Sequence, residues 1–540
     1  MDGHWWQSGV LYQIYPRSFQ DSNGDGVGDL NGIRQRLDYL TQLGINAAWL
    51  SPIFLSPMRD FGYDIADHCA IDPVFGTLAD FDLLLKDMHS RGIKLILDFV
   101  PNHTSNEHPW FRESRSSRVN PKRDWYIWRD AASDGAPPNN WLGAFGGSAW
   151  EWDELTGQFY YHAFLKEQPD LNWRNPEVRA AMHDVLRFWL ERGVDGFRVD
   201  ALWHLMKDEH FRDNPPNPAF RPEQAGLERL LQLRSADQPE IYDVVAELRR
   251  VLDAYPDRLL IGEIYLPIER LVTYYGKDLS GAHLPFNFQL LNTAWGAQQI
   301  ANIVAEYESA LPPGGWPNWV LGNHDRPRIA TRVGGAQARV AAMLLLTLRG
   351  TPTLYYGDEL GFEQAVVPPE AVQDPWEKQE PGLGLGRDPC RTPMSWDRSL
   401  NAGFSPGRPW LPPASDCLRR NVETLASDPN SILNLYRRLL AFRARSNALR
   451  MGDYTAVSAE NGVFIFERRA KSERLAIALN LTHEPRRVNL PKAFERILIS
   501  TLVAKPVASV TGEVNLRPDE GIILAAGRES DRRDAETASQ

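Results

Sequence analysis

Cysteine is scarce in this chain: Cys69, Cys390 and Cys417 are the only 3 in 540 residues, and no two stand in a C-x-x-C spacing. An odd, scattered set excludes a disulfide framework and a cysteine zinc site. Excess positive charge is missing as well. Lys and Arg number 59 against 70 Asp and Glu, a net charge of −11, so neither a nucleic acid nor an anionic membrane is an expected partner. No run reaches the ~18 apolar residues of a membrane span. The start, "MDGHWWQSGVLYQ", has neither the basic nor the apolar segment of a signal peptide. A cytoplasmic protein, monomeric or homodimeric, is the simplest expectation. The nucleotide and serine-nucleophile motifs G-x-G-x-x-G, P-loop and G-x-S-x-G are absent too. "GLGLG" (382–386) follows "EKQEP" instead of a strand and reads as loop.

What the chain does have is tryptophan, 18 residues of it, many in loop-like stretches. Exposed rings suit sugar stacking as well as core packing. It also has a repeating order. Short apolar runs alternate with helical patterns at "VLYQIYP" (10–16), "INAAWLSP" (45–52), "IKLILDFVPN" (93–102), "DGFRVDA" (195–201), "LLIGEIY" (259–265), "HLPFNF" (283–288), "WVLGNHD" (319–325) and "TPTLYYGDE" (351–359). Near-continuous apolar strands, each followed by a helix or a long loop, predict a parallel sheet, and this many units predict a closed (β/α)8 TIM barrel. The barrel is expected over 1–103 and 171–450. A Trp-, Tyr- and Pro-rich excursion domain after strand three spans 104–170. Further insertions follow strands four and eight. From 451 to 527 the texture changes to "GVFIFERR", "RLAIALNL" and "EGIILAAG", short strands that predict a C-terminal antiparallel β-sandwich. The charged tail 528–540 is expected to be disordered.

The stretch "GVDGFRVDALWH" (193–204) sets two aspartates around an arginine. If Phe197 and Val199 face one way, Gly196, Arg198 and Asp200 share the other face. Other strands carry matching chemistry at the same end: Asp98, Asn102 and His103 after strand three, Glu263 after strand five, His324 and Asp325 after strand seven. Barrels keep their active sites on that rim. Several carboxylates without a cysteine or serine nucleophile suit glycoside hydrolysis, in which one carboxylate attacks the anomeric carbon and a carboxylic acid protonates the leaving oxygen.

"DFVPNHTS", "DGFRVDA", "GEIY" and "LGNHD" resemble the four signature regions of the α-amylase family of glycoside hydrolases. "GVLYQIYPRSF", "QPDLNW" and "GTPTLYYGDE" are similar to three further blocks. Within the family the chain looks most like the α-glucosidases and oligo-1,6-glucosidases. The resemblance implies Asp200 as nucleophile, Glu263 as general acid and base, and Asp325 as the residue that binds and distorts the sugar. Arg198 would keep Asp200 ionised, and His103 and His324 would bond the same ring. Asp98 would support Arg198 or serve structure alone.

"FGYD" (61–64) and "GRDPCRTPMSW" (386–396) resemble the α-glucosidase motifs in which Asp64 and Arg391 would grip a terminal 4-hydroxyl and Tyr63 would stack on the ring. Phe145 and Phe164 are candidate pocket walls or excursion-domain core. In the resembling enzymes a valine after the nucleophile accompanies α-1,6 activity. Ala201 stands there, which favours α-1,4 substrates such as maltose. In "DSNGDGVGDL", Asp21, Asn23, Asp25, Asp29 and the Val27 carbonyl have the oxygen spacing of a structural Ca2+ (or Mg2+) loop, with a metal-free Asp/Asn turn as the alternative. Glucosyl transfer to another alcohol, sucrose hydrolysis or disaccharide isomerisation are rival activities for the same carboxylates. A non-catalytic, transporter-associated homologue is the remote alternative.

Overall fold

The computed structural model describes residues 3–490, 493–503, 510 and 512–526, and the tail expected at 528–540 lies outside these. The expected strands all form: β1 (Leu11–Ile14), β2 (Ala47–Leu50), β3 (Lys94–Phe99), β4 (Gly196–Val199), β5 (Leu259–Gly262), β6 (Leu284–Pro285), β7 (Asn318–Val320) and β8 (Thr351–Tyr355). They make one 8-stranded sheet in the order β6-β5-β4-β3-β2-β1-β8-β7, with every ladder parallel. A parallel bridge between Asn287 and Trp319 joins the two edges and closes the barrel.

The approach to β4 shows how sequence sets this up. The helix Pro176–Arg192 starts with an Asn175 side-chain cap and proline in its first turn, and buries Val178, Met182, Val185, Leu186, Trp189 and Leu190. It stops at Gly193, whose φ of 106° is left-handed and cheap only for glycine. Inside the barrel a Cβ on Gly196 would lie 2.4 Å from the Leu259 carbonyl oxygen, so glycine lets β4 and β5 close together. Phe197 and Val199 pack outward into the main core, leaving Arg198 and Asp200 to the interior face.

Between β3 and β4 the chain leaves the barrel and forms a 3-stranded antiparallel sheet of Trp128–Arg129, Trp150–Asp153 and Gln158–Tyr161. Its own small core includes Trp141, Trp150 and Tyr161. Bridges from His103 to Asp170 and from Tyr126 to Leu171 stitch it back to the rim.

The C-terminal region folds as an antiparallel 5-stranded sheet plus a 2-stranded one, with strands from Asp453–Ser458 to Gly521–Ala526. Phe464, Phe466, Leu475, Ile477 and Leu479 join the barrel's core. Val463, Ile465, Ala476 and Ala478 alternate with them and face Val514 and Leu516 of the smaller sheet, the inward pattern of a sandwich. Two strands here, Asp453–Ser458 and Glu513–Leu516, were not apparent in the sequence.

Candidate active site

The C-terminal ends of the barrel strands open into a cavity of about 390 Å³, within the roughly 300–1,000 Å³ usual for small-molecule sites. Asp200, Glu263, Asp325, His103, His324, Tyr63, Phe145 and Phe164 all line it.

Arg198 is the hub of the buried carboxylates. Its Nη1 donates to Asp98 Oδ1 and to Asp200 Oδ1, each at 2.7 Å, and Nη2 stands 2.8 Å from Glu263 Oε1. The guanidinium also lies over the Trp49 ring at 4.9 Å. Glu263 Oε2 accepts the backbone N–H of Ala201 at 2.7 Å. That bond exists because Ala201 adopts a left-handed φ of 45° directly after Asp200, a strained conformation for a non-glycine residue. Burial pushes the Asp200 carboxyl up; Arg198 pulls it back, and Glu263 and Asp98 push it up again. Burial likewise raises Glu263, opposed by Arg198 and reinforced by Asp325, and raises Asp98 to about 6. Three buried carboxyls around one guanidinium therefore titrate as a unit that keeps a proton well above the ordinary carboxylate range.

Asp325 behaves in the opposite way. Burial would raise it, but His324, Arg391 and Arg387 outweigh that and hold it below the usual carboxylate range. Its Oδ1 lies 3.0 Å from Arg391 Nη2 and 3.4 Å from Arg387 Nη1. Burial keeps His324 neutral. Its Nδ1 accepts from Gln13 Nε2 at 2.8 Å, leaving an Nε2 proton aimed at Asp325 Oδ2, 3.3 Å away. The His324 ring stacks on Tyr63 at 5.3 Å, and the Tyr63 hydroxyl donates to Asp98 at 3.0 Å. Burial lowers His103 to about 4, and its Nε2 lies 3.1 Å from both the Tyr63 carbonyl and Gln168 Nε2.

The expected Asp64–Arg391 pair does not form. Asp64 is fully buried beneath its own loop, where it accepts the Arg59 and Asp60 backbone N–H groups at 2.8 and 2.9 Å and the Ser56 hydroxyl at 3.0 Å. The left-handed turn at Phe61 (φ 51°) and Gly62 (φ 109°) folds Asp64 under and presents Asp60 instead. Arg391 lies beneath Asp325, donating to the His324 carbonyl at 2.8 Å. The pair facing the cavity is Asp60 and Arg387, 2.8 Å apart, with Asp374 bracing Arg387 at 2.6 Å. Arg387 stands one short 3-10 turn, Asp388–Cys390, before Arg391.

Phe145 and Phe164 divide the roles expected of them. Phe145 packs under the Arg387 guanidinium at 4.7 Å and against Trp376 at 5.6 Å. Phe164 faces His103 at 5.1 Å while also touching the excursion-domain core. Sequence reasoning missed Trp203, Tyr265, Arg326 and Trp376, which complete the outer walls. It also missed Glu380, which joins two insertions over the cavity by accepting Gly226 N–H at 2.9 Å and Trp376 Nε1–H at 3.1 Å. Only the tryptophans left a trace in the sequence, as rings too numerous for the core.

The candidate metal loop is held by its own backbone. Asp21 Oδ1 accepts the N–H groups of Asn23 and Gly24, Asp25 Oδ1 accepts that of Val27, and Asp29 accepts those of Ser22 and Gly32. Among the described residues no group of three or more His, Cys, Asp or Glu side chains is gathered for a metal ion. No helix among them is long and apolar enough to cross a membrane.

Known proteins resemble this chain in sequence and fold. Residues 13–452 match the family model described as the α-amylase catalytic domain. A probable α-glucosidase of Rhizobium meliloti (strain 1021) is 42% identical over 506 residues, covering 91% of this chain and 92% of that protein. An oligo-1,6-glucosidase of Parageobacillus thermoglucosidasius is 36% identical over 563 residues, covering 96% and 98%. The crystal structure of the α-glucosyl transfer enzyme XgtA superposes with a TM-score of 0.93 at 41% identity, covering 97% of this chain and 100% of that one. Trehalulose synthase MutB from Pseudomonas mesoacidophila MX-45 follows at a TM-score of 0.90 and 33% identity, covering 98% and 100%. A barrel whose strand ends gather these carboxylates, matched over most of its length by such relatives, belongs to the α-amylase family of glycoside hydrolases.

Proposed function

We propose that this chain is a retaining, exo-acting α-glucosidase that releases α-glucose from the non-reducing end of short α-1,4-linked gluco-oligosaccharides such as maltose. The observation that carries this reading is the contact of Asp200 and Glu263 with the same guanidinium, Arg198, inside one cavity. Two carboxyls that share one guanidinium suit the short separation of a retaining pair better than the wider one that admits an inverting water. Asp200 attacks the anomeric carbon while the bond to the leaving oxygen breaks and Glu263 gives that oxygen its proton. Glu263 then takes a proton from water, whose oxygen displaces Asp200 and restores the α-configuration. Arg198 favours the ionised form of Asp200 for attack, and Asp325, held ionised by Arg391 and Arg387, grips the ring hydroxyls. The Asp60–Arg387 pair supplies a charged acceptor and donor for the terminal hydroxyls, which favours a chain end.

NMR of maltose, isomaltose, sucrose and trehalose digests tests this. Maltose cleaved fastest with α-glucose released first is the expected outcome; β-glucose released first, or sucrose or isomaltose preferred, contradicts it. Transfer of the glucosyl group to an alcohol is the second reading, supported by the likeness to an α-glucosyl transfer enzyme.

A structural Ca2+ or Mg2+ at Asp21, Asn23, Asp25, Val27 and Asp29 belongs to the same proposal. The support is chemical: the donors are all oxygen, and among the described residues none of the three carboxylates is ion-paired with Lys or Arg. Chelation that changes neither metal content nor stability would contradict it. Three free cysteines suit a reducing, cytoplasmic location.

A further inference from the structure

Most charged side chains around the cavity touch an opposite charge directly. Arg387 is held by Asp60 and Asp374, Asp325 by Arg391, and Asp200 and Glu263 by Arg198. Asp237, on the outer wall, accepts from Arg270 at 2.9 Å and from the Tyr274 hydroxyl at 2.7 Å. Arg326 is the exception. Among the described residues that line the cavity, it is the one arginine without a carboxylate within ion-pair distance. Its Nε is buried and has no hydrogen-bond partner.

The position of Arg326 is fixed by its platform. The guanidinium sits over the Tyr265 ring at 5.1 Å. Tyr265 in turn stacks on Phe288 at 4.1 Å and accepts a hydrogen bond from Asn323 at 2.8 Å. Tyr265 follows Glu263 by two residues and Arg326 directly follows Asp325. The cation therefore stands on the aromatic wall of Trp203 and Tyr265, which meet at 5.6 Å. Glu228, the remaining acid on that wall, is exposed and engaged with Gln224; it and Asp325 attract Arg326 from beyond ion-pair distance, and Tyr265 is hydrogen-bonded to the guanidinium.

A half-buried guanidinium on the cavity wall that no carboxylate pairs directly is completed by an anion brought in with the ligand. We propose that the leaving-group side of this cavity is a subsite for an aglycone bearing a carboxylate on an aromatic ring, with Arg326 binding the carboxylate and the Trp203–Tyr265 wall taking the ring. The proposal rests on the glucosidase reading and names the leaving groups, or acceptors, that its outer subsite selects.

The test compares 4-carboxybenzyl and 4-carbamoylbenzyl α-glucosides, whose leaving alcohols differ little in reactivity. For the wild-type protein kcat/KM should favour the carboxylate by about tenfold at low salt, the scale of one charge-assisted hydrogen bond, and the preference should shrink as salt is raised. Arg326→Gln should bring the ratio toward one, and Arg326→Lys should keep part of it. A wild-type ratio near one, or a preference that Arg326→Gln leaves intact, overturns the proposal. The salt dependence of the wild-type ratio decides the matter even if a variant fails to fold. Failure to release glucose from either glucoside or from maltose overturns the glucosidase reading itself, and is distinguishable from a merely absent preference.

Discussion

Asp195 and Asp200 bracket the same strand, β4, and their surroundings differ in kind. At the N-terminal end Asp195 is bound by groups that reach in from the surface: His89 at 2.6 Å, Lys94 at 3.0 Å and Arg258 at 3.6 Å, with the Leu95 N–H at 2.9 Å. The His89 and Lys94 side chains are 38% and 36% exposed, so this cluster has cations to spare. At the C-terminal end the balance reverses, since Asp98, Asp200 and Glu263 share one arginine that is 1% exposed. Excess cation makes a clamp, whereas excess buried carboxylate makes a group that must keep or pass on a proton.

Substituting each aspartate separates the two. Asp200→Asn should lower kcat/KM by roughly four orders of magnitude or more, while the melting temperature holds or rises as like charges are removed. Asp195→Asn should do the reverse, costing about 1–3 kcal/mol of stability with kcat/KM nearly unchanged. Loss of activity in Asp195→Asn without loss of stability would erase the distinction. Glu263→Gln ranks next, with a loss of about 10²–10⁴-fold on maltose. Because burial raises the Glu263 pKa, the acid form persists above the ordinary carboxylate range. Activity should therefore fall only as pH climbs through that raised value, and a kcat/KM profile measures it.

The same contrast was visible in the sequence only in part. Alternation within "GFRVDA" assigned Arg198 and Asp200 to the interior, and strand-end residues were enough to gather Glu263, Asp325 and both histidines. These positions are fixed by a two-residue period and a barrel rim. Asp60 and Arg387 obey neither rule. They stand on loops whose direction is set by left-handed backbone at Phe61 and Gly62 and by a 3-10 turn, and the resemblance to α-glucosidase motifs pointed one turn too far, to Asp64 and Arg391. The Glu380 bridge depends on segments more than a hundred residues apart, which no local pattern encodes.

The corrected pair yields the next prediction. Asp60→Asn should lower kcat/KM by about 10²-fold, the loss of one charge-assisted contact to a hydroxyl together with loss of the ion pair to Arg387. Asp64→Asn should cost less, because it acts through the two backbone N–H groups that aim Asp60. An equal or larger effect from Asp64 would restore the arrangement first expected.

The smallest effect concerns acid stability at the lower end of β4. Burial would raise the Asp195 carboxyl, but His89, the Leu95 N–H and Lys94 outweigh it and hold it below its ordinary value. A depressed folded-state pKa means that the stabilisation is fully present above roughly pH 4 and is lost as pH falls through the folded value. Wild-type melting temperature should thus drop more steeply than that of Asp195→Asn on acidification, and parallel curves would contradict the clamp.

In the proposed reaction Asp200 carries the glucosyl group between the two halves. Incubating the full chain with 5-fluoro-α-glucosyl fluoride, a substrate whose intermediate turns over slowly, and mapping the adduct by mass spectrometry tests it most directly. A single 5-fluoroglucosyl ester is expected on the peptide containing Asp200, absent in Asp200→Asn. An adduct on Glu263 or Asp325, or turnover of the fluoride with no adduct and inverted product, would contradict it.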